Sequence, residues 1–366
     1  TGYPKFWDVT WAKANSDNIY QIAKMDQEAG TRLFKGVTFA MQSLNPDSQK
    51  ASKRVNLKTD EALTYMNRYE EENISTYSEL IWPMPDETYE SLREGIQKLV
   101  DLGQRSFLMV HPLVLTYNAT MGQDWYIKKY GLQWKQVPLD TYYLNVDDLE
   151  NYIVENTMGV YATGTADQTQ TMRGNLFSYL FITMYYYGWS HYLMEYMAKK
   201  YDVRHVDFIE DMLTYFFTRN SLIGKEIRET EKHMYEVFHG DRFWGRRVLD
   251  NDIFWEYKGA SSIILHQNRD QLQNELCKFC QDHYNIDAQE VVEFGMHLCK
   301  DPNKQYPYNI TVNTDVAHWC LQSESGEYTV DHWDKETLDE RKFYHVAYHW
   351  QRKNRYWRCS ATRLGQ

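Results

Sequence analysis

The chain is poor in the residues that staple, stiffen or positively charge a protein. Proline occurs 8 times and cysteine 5 times in 366 residues. Cys277, Cys280, Cys299, Cys320 and Cys359 all fall in the last quarter of the chain. An odd count with no signal peptide at the start speaks against a disulfide framework and fits a cytoplasmic setting. Positive charge is also short: 40 Lys and Arg stand against 51 Asp and Glu, a net −11. That argues against sequence-independent nucleic-acid binding and against a polybasic membrane anchor. There is no GxSxG, GxxxxGK[ST], HExxH or GxGxxG, so hydrolase, P-loop and dinucleotide readings lack their local signals. Long apolar runs are scarce. Leu176 to Met194 lacks Asp, Glu, Lys and Arg and has the length of a membrane span. Its Tyr, Ser, His, Thr and Gly content reads instead as a buried or ligand-lining helix. The chain opens on Thr1 rather than Met, as a fragment or processed product would.

Aromatics are abundant: 16% of residues, with 30 Tyr and 12 Trp. Tyr and Trp suit half-polar walls, where the ring packs and its OH or NH finds a partner. A carbohydrate, nucleoside or peptide cleft fits this composition, and so does an ordinary aromatic core.

Over residues 1–122 one pattern repeats. "KFWDVTWAK" reads as a strand, followed by the helix "SDNIYQIAKMDQEAG" with Gly30 as a stop. "GVTFAMQSL" is the next strand; Asn45 caps a helix that has Pro46 in its first turn. The helix "TDEALTYMNRYEEEN" starts at Thr59, then come strand "STYSELIWPM", helix "DETYESLREGIQKLVDLG" and strand "RSFLMVHPLVL". Alternating strands and helices imply parallel strands joined by right-handed crossovers, an α/β fold. Residues 123–366 change texture. An aromatic loop-rich stretch and one strand around "ENYIVENTM" lead into long helical patterns over 168–240 and 268–300. An alternating segment around 308–333 reads as a β-hairpin with Ser325-Gly326 near its turn.

In parallel α/β folds, ligands bind where the C-terminal strand ends meet the following loops. The polar residues gather there: Lys13, then Gln42, Ser43 and Asn45, then Pro83 to Thr88, then His111 to Asn118. Gln42 and Ser43 can bond ribose hydroxyls or a carboxylate, and Arg54 offers a fork for that carboxylate. Helix capping and a solvated Arg54 are the plain alternative. Pro83-Met84-Pro85 stiffens a turn against which a flat base could pack, and Pro112 interrupts its strand beside His111. Asp86 and Glu87 read as first-turn acids that favour the helix dipole; with Glu79 they also make an acid–base pair conceivable. Cys277-Lys278-Phe279-Cys280 with His283 has half the ligands of a metal knuckle, but it falls in a helical pattern with no second CxxC.

Taken in order, "WDVTWAKANSDNIYQIAK", "GVTFAMQSLNPDSQKASKRVN", "SELIWPMPDETYESLREGIQKLVDLG" and "FLMVHPLVLTYNATM" resemble the second half of a radical S-adenosylmethionine (radical SAM) barrel. The flavour is that of the subclass with an N-terminal cobalamin-binding domain. The aromatic stretch after residue 123 resembles that subclass's C-terminal extension. The resemblance implies a partial (β/α) barrel with about four parallel strands in this chain, then a mainly α region with a small β-hairpin. It implies S-adenosylmethionine and a [4Fe–4S] cluster as cofactors, with cobalamin on a missing N-terminal domain. Carried over by position, Gln42 and Ser43 lie near the ribose and Arg54 near the carboxylate. Pro83 to Pro85 and Val110 to Leu113, with His111 and Pro112, lie near the adenine, and Lys13 points into the same cavity.

The departures from the family are as informative. The chain has no CxxxCxxC cluster loop, no Asp-x-His-x-x-Gly cobalamin loop, and no counterpart of the first two strands. The expectation is therefore part of a radical SAM enzyme, contributing cosubstrate contacts and the substrate pocket for methylation or rearrangement at an unactivated carbon, and inactive alone. An open parallel edge calls for cover by a missing N-terminal segment, a partner chain or self-association. The substrate is a small molecule or peptide; nucleic acid and membrane are not expected partners. The alternative is a non-catalytic binding or scaffold protein on a degenerate half barrel.

Overall fold

The computed structural model describes residues 16–29, 37–53, 59–72, 74, 76–105, 107–138, 155–239, 245–249, 255–332 and 358–364. They fall into two compact units. One lies within residues 1–133 and 160–174; the other lies within 134–159, 175–350 and 355–366.

The first unit runs α1 (Ser16–Glu28), β1 (Val37–Gln42), α2 (Pro46–Ala51), α3 (Thr59–Glu71), β2 (Thr76–Trp82), α4 (Tyr89–Asp101) and β3 (Leu108–Pro112). β1, β2 and β3 form a three-stranded sheet in that order, parallel throughout. Val37 pairs with Thr76, and Trp82 with Pro112, so the three C-terminal ends share one edge. The parallel pairing is what the alternation of strands and helices implied. The strand expected at "KFWDVTWAK" lies outside the described residues, so three of the expected parallel strands are seen in this sheet.

Side-chain alternation splits the sheet into two faces. Phe39, Ser78, Leu80 and Leu108 are buried. Phe39 meets Tyr69 of α3 at 6.1 Å between ring centroids, and Tyr69 meets Tyr20 of α1 at 5.5 Å. The Ser78 hydroxyl donates to Gln104 Oε1 at 2.7 Å, tying β2 to the α4–β3 connection. On the opposite face Thr38, Ala40, Glu79, Ile81 and Met109 are half-buried and His111 is exposed.

Local chemistry explains the helix starts. Asn45 Oδ1 accepts from the Asp47 amide at 2.9 Å with Pro46 in the first turn, as expected for α2. α4 begins later than its acidic residues suggested: Thr88 is the N-cap, in a reciprocal box with Ser91. Short strands β4 (Val114–Leu115), β5 (Gln133–Pro138) and β6 (Asn156–Ala162) and helix α5 (Asp124–Tyr130) follow. β6 starts six residues after the strand expected at "ENYIVENTM", whose first residues lie outside the described ones.

Helix α6 (Gln168–Phe181) leads into the second unit, which contains α7 (His191–Tyr201), α8 (His205–Phe217), α9 (Leu222–His239), α10 (Tyr257–Gln267), α11 (Arg269–Phe279) and α12 (Gln289–His297). The charge-free stretch 176–194 is not one helix. α6 ends in a π-helical segment, Ile182–Tyr186, and residues 187–190 break the run before α7. Among the described residues no helix is long and apolar enough to cross a membrane. The expected hairpin is more elaborate than a tight turn. β7 (Tyr308–Val312) and β8 (Gly326–Asp331) pair antiparallel, but helix α13 (Thr314–Leu321), capped by Asn313, sits between them. β9 (Ser360–Arg363) adds a third strand beside β8.

The second unit buries polar side chains between its helices. Arg246 donates to Glu226 Oε2 at 2.7 Å, Ser261 donates to the same oxygen at 2.8 Å, and Tyr179 donates to Ser261 at 2.7 Å. Glu195 accepts from Tyr185 at 2.6 Å and lies 3.2 Å from His205 Nε2. These networks satisfy groups that would otherwise be costly to bury.

Candidate functional site

At the C-terminal edge of the parallel sheet, two loops are laced together. The Ser43 hydroxyl, just past β1, donates to Glu87 Oε1 in the β2–α4 loop at 2.8 Å. Asn45 Nδ2 donates to the Asp86 carbonyl at 3.0 Å. Two further bonds fix the first loop itself: the Asn45 amide donates to Ser43 Oγ at 3.0 Å and Gln49 Nε2 to the Ser43 carbonyl at 2.9 Å. A third segment joins them, as Thr165 Oγ1 donates to the Glu87 carbonyl at 2.7 Å.

The backbone at both loops is unusual. Gln42 has φ 60° and Asp86 φ 58°, left-handed conformations that cost an L-residue of order 1–3 kcal/mol. The β1–β2 register also slips between Ala40 and Gln42. Such strain persists only where the surroundings hold it, and it concentrates at functional sites.

Glu87 is the most unusual group here. It is 2% exposed, and its Oε2 has no hydrogen-bond partner. Burial pushes its carboxyl up to about 8, with the Ser43 hydroxyl pulling the other way. The side chain is thus largely a neutral acid at neutral pH. The sequence reading took Glu87 for a helix first-turn acid; it precedes the Thr88 cap and faces inward. The Pro-x-Pro turn followed by a Thr-x-x-Ser capping box is the signal that placed it outside the helix. Thr165 comes from a distant segment and had no such signal.

The structure brings Gln42, Ser43, Pro83, Pro85, His111 and Pro112 to this one edge of the sheet. They differ in exposure. Pro83 and Pro85 are buried and support the loop, with a cis Trp82–Pro83 bond; Gln42 is half-buried; His111 and Pro112 are exposed. His111 Nε2 stands 3.9 Å from Glu79 Oε1 on the half-open face. After Pro112, the Leu113 amide donates to the Trp82 carbonyl at 2.9 Å. Lys13 and Arg54 lie outside the described residues.

A metal cluster does not fit the thiols. Cys280, Cys299 and Cys359 are buried, and Cys277 and Cys320 half-buried. Burial pushes the Cys280, Cys320 and Cys359 thiols up to about 12. His283 faces Asp211 Oδ2 at 3.2 Å. Among the described residues no group of three His, Cys, Asp or Glu could hold a metal ion.

Fold and site together describe a mixed α/β chain whose parallel sheet gathers strained, polar loops at its C-terminal edge. No family model matches the chain. Over 240 residues, 65% of the chain, it is 28% identical to a 2-(S-pantetheinyl)-carbapenam-3-carboxylate methyltransferase of Streptantibioticus cattleyicolor. Over 132 residues, 36% of the chain, it is 36% identical to the cobalamin-dependent radical SAM methyltransferase TokK of Streptomyces tokunonensis. The matches cover 34% and 19% of those proteins, so the chain spans only about a third or less of the curated relatives it matches. The chain is thus similar to methyltransferases, one of them a radical SAM enzyme.

Proposed function

We propose that this chain is part of a radical SAM methyltransferase and that its sheet edge carries S-adenosylmethionine contacts. The similarity to two methyltransferases, one named as a radical SAM enzyme, carries this reading. The geometry supports it. A three-stranded parallel sheet with one face packed on helices and the other half-open is compatible with a barrel wall. In this reading the half-open face of Ala40, Glu79, Ile81, Met109 and His111 looks into the barrel, and the laced loops form its rim.

The polar and proline residues gathered at this edge are what supports a nucleoside site there. Gln42 would hold the ribose side, with the buried Ser43 fixing its loop through Glu87, and the Pro83–Pro85 loop would back the base, with His111 and Pro112 beside it. Lys13 and Arg54 would take the polar tail. The cosubstrate, when bound, supplies the methyl group. No group of three Cys, His, Asp or Glu among the described residues could hold the cluster. The second unit, with its buried Tyr, Trp and charged networks, would be the part that takes a small-molecule or peptide substrate. A further segment, a partner chain or a second copy would cover the open edge.

Equilibrium dialysis of the intact chain against labelled S-adenosylmethionine tests the reading. Saturable binding that Ile81→Trp removes, by filling the half-open face, is the expected result. Binding indifferent to that change, or no saturable binding, overturns it.

A further inference from the structure

Two observations at the laced loops go beyond ligand binding as such. Glu87 is the point where the β1–α2 loop, the β2–α4 loop and the 163–167 segment meet, through Ser43, its own backbone and Thr165. Yet its second oxygen is buried without a partner. A buried carboxyl with one satisfied oxygen is stable only while it carries no charge.

The charged groups on the surrounding elements do not compensate it. Asp47 and Lys50 of α2 are exposed, as are Asp86 beside it, Asp167 on the third segment and Arg173 of α6. In the first turn of α4, Glu90 pairs with Arg93 at 2.9 Å. Among the described residues none forms an ion pair with Glu87.

We propose that Glu87 is a positioning residue for the nucleoside: by receiving the Ser43 hydroxyl it sets the spacing of the two strand-tip loops, and the latch releases when the carboxyl becomes charged. This rests on the nucleoside reading above. An ionised Glu87 must reach water. Its only route is to leave the loop junction, which takes the Ser43 anchor with it. Gln42 and Asn45, the flanking residues of the first loop, then lose their fixed position against the Pro83–Pro85 loop. Glu87→Gln keeps the acceptor for Ser43 and removes the charge, so it keeps the latch shut at every pH.

The probe is 5′-deoxyadenosine, which has no group titrating across the range used. Its affinity for the intact wild-type chain should fall about tenfold or more between about pH 6.5 and pH 9, with Glu87→Gln flat over the same interval. Hydrogen exchange at the Asn45 amide, whose proton is held by Ser43 Oγ, gives a second readout independent of ligand. It should lose protection with pH in wild type and not in Glu87→Gln. A pH-flat affinity in wild type, or the same profile in both proteins, overturns the latch and leaves the nucleoside site standing. No binding at any pH, with Asn45 protection still separating the two proteins, supports the latch and overturns the nucleoside site.

Discussion

Trp82 at the end of β2 and Gly174 in α6 touch with no side chain between them. The indole N–H donates to the Thr171 carbonyl at 2.9 Å, and a Cβ built on Gly174 would stand 2.8 Å from Trp82 Cζ2, with Cε2 and Nε1 nearer still. Trp82 is fully buried and cannot yield. Gly174→Ala should therefore destabilise the chain by about 2–3 kcal/mol despite the better helix propensity of alanine. Gly95→Ala in α4 is the contrast. There the added Cβ would meet Leu44 Cβ at 3.7 Å, an ordinary contact, and stability should rise by about 0.5–1 kcal/mol. Denaturant unfolding of both variants reads the two signs; equal effects would refute the packing argument.

The Arg246–Glu226 pair is the second unit's most exacting contact. Both side chains are less than a tenth exposed, and Ser261 and Tyr179 complete the network. Removing one charge strands the other. Arg246→Met should cost about 3–5 kcal/mol, and pairing it with Glu226→Met should restore most of the loss. A double-mutant cycle on unfolding free energies measures this; additive losses would show that the pair is not coupled.

Thiol chemistry should follow burial. In the native chain Cys277, half-buried and raised less far, should alkylate first at mildly alkaline pH. Cys280, Cys320 and Cys359 should resist until the chain unfolds, because a thiol pushed up to about 12 carries almost no nucleophilic thiolate there. Mass mapping after a timed iodoacetamide pulse gives the order. Rapid labelling of Cys280 ahead of Cys277 would contradict the burial described for the CxxC helix.

What was legible in the sequence was local. Asn45-Pro46 announced α2 because a side-chain cap and a fixed φ act within a few residues. The apolar runs within 36–44, 75–84 and 105–115 announced strands, and their spacing by helices announced a parallel sheet. The collection of Gln42, Ser43, Pro83 and His111 at one edge followed from that topology. What escaped was long-range. Glu87 reads as a helix-start acid until Thr165 and Ser43 are folded against it, 78 and 44 residues away. The hairpin at 308–331 hid a helix because Asn313 and the run after it look like turn and strand in one dimension. Tyr179, Glu226, Arg246 and Ser261 carry no shared periodicity; only the packing of helices brings them together.

Glu87 also predicts how stability depends on pH. Its folded-state carboxyl is raised to about 8 by burial, above its ordinary value of 4.5. For a group raised in this way the folded state favours the proton, so the stability is fully present below the unfolded value. It is lost as pH rises towards the folded one, at about 1.4 kcal/mol per pH unit. Wild type should therefore weaken steadily between about pH 4.5 and pH 8 and level off above. Glu87→Gln, isosteric and uncharged, should lack this slope, and the difference between the two unfolding curves isolates the one group from every other titration. The alkaline side is the decisive one: near pH 9 the Gln variant should be the more stable protein by a few kcal/mol. Parallel curves across the interval would mean that Glu87 titrates normally, and that the closed loop junction accommodates its charge.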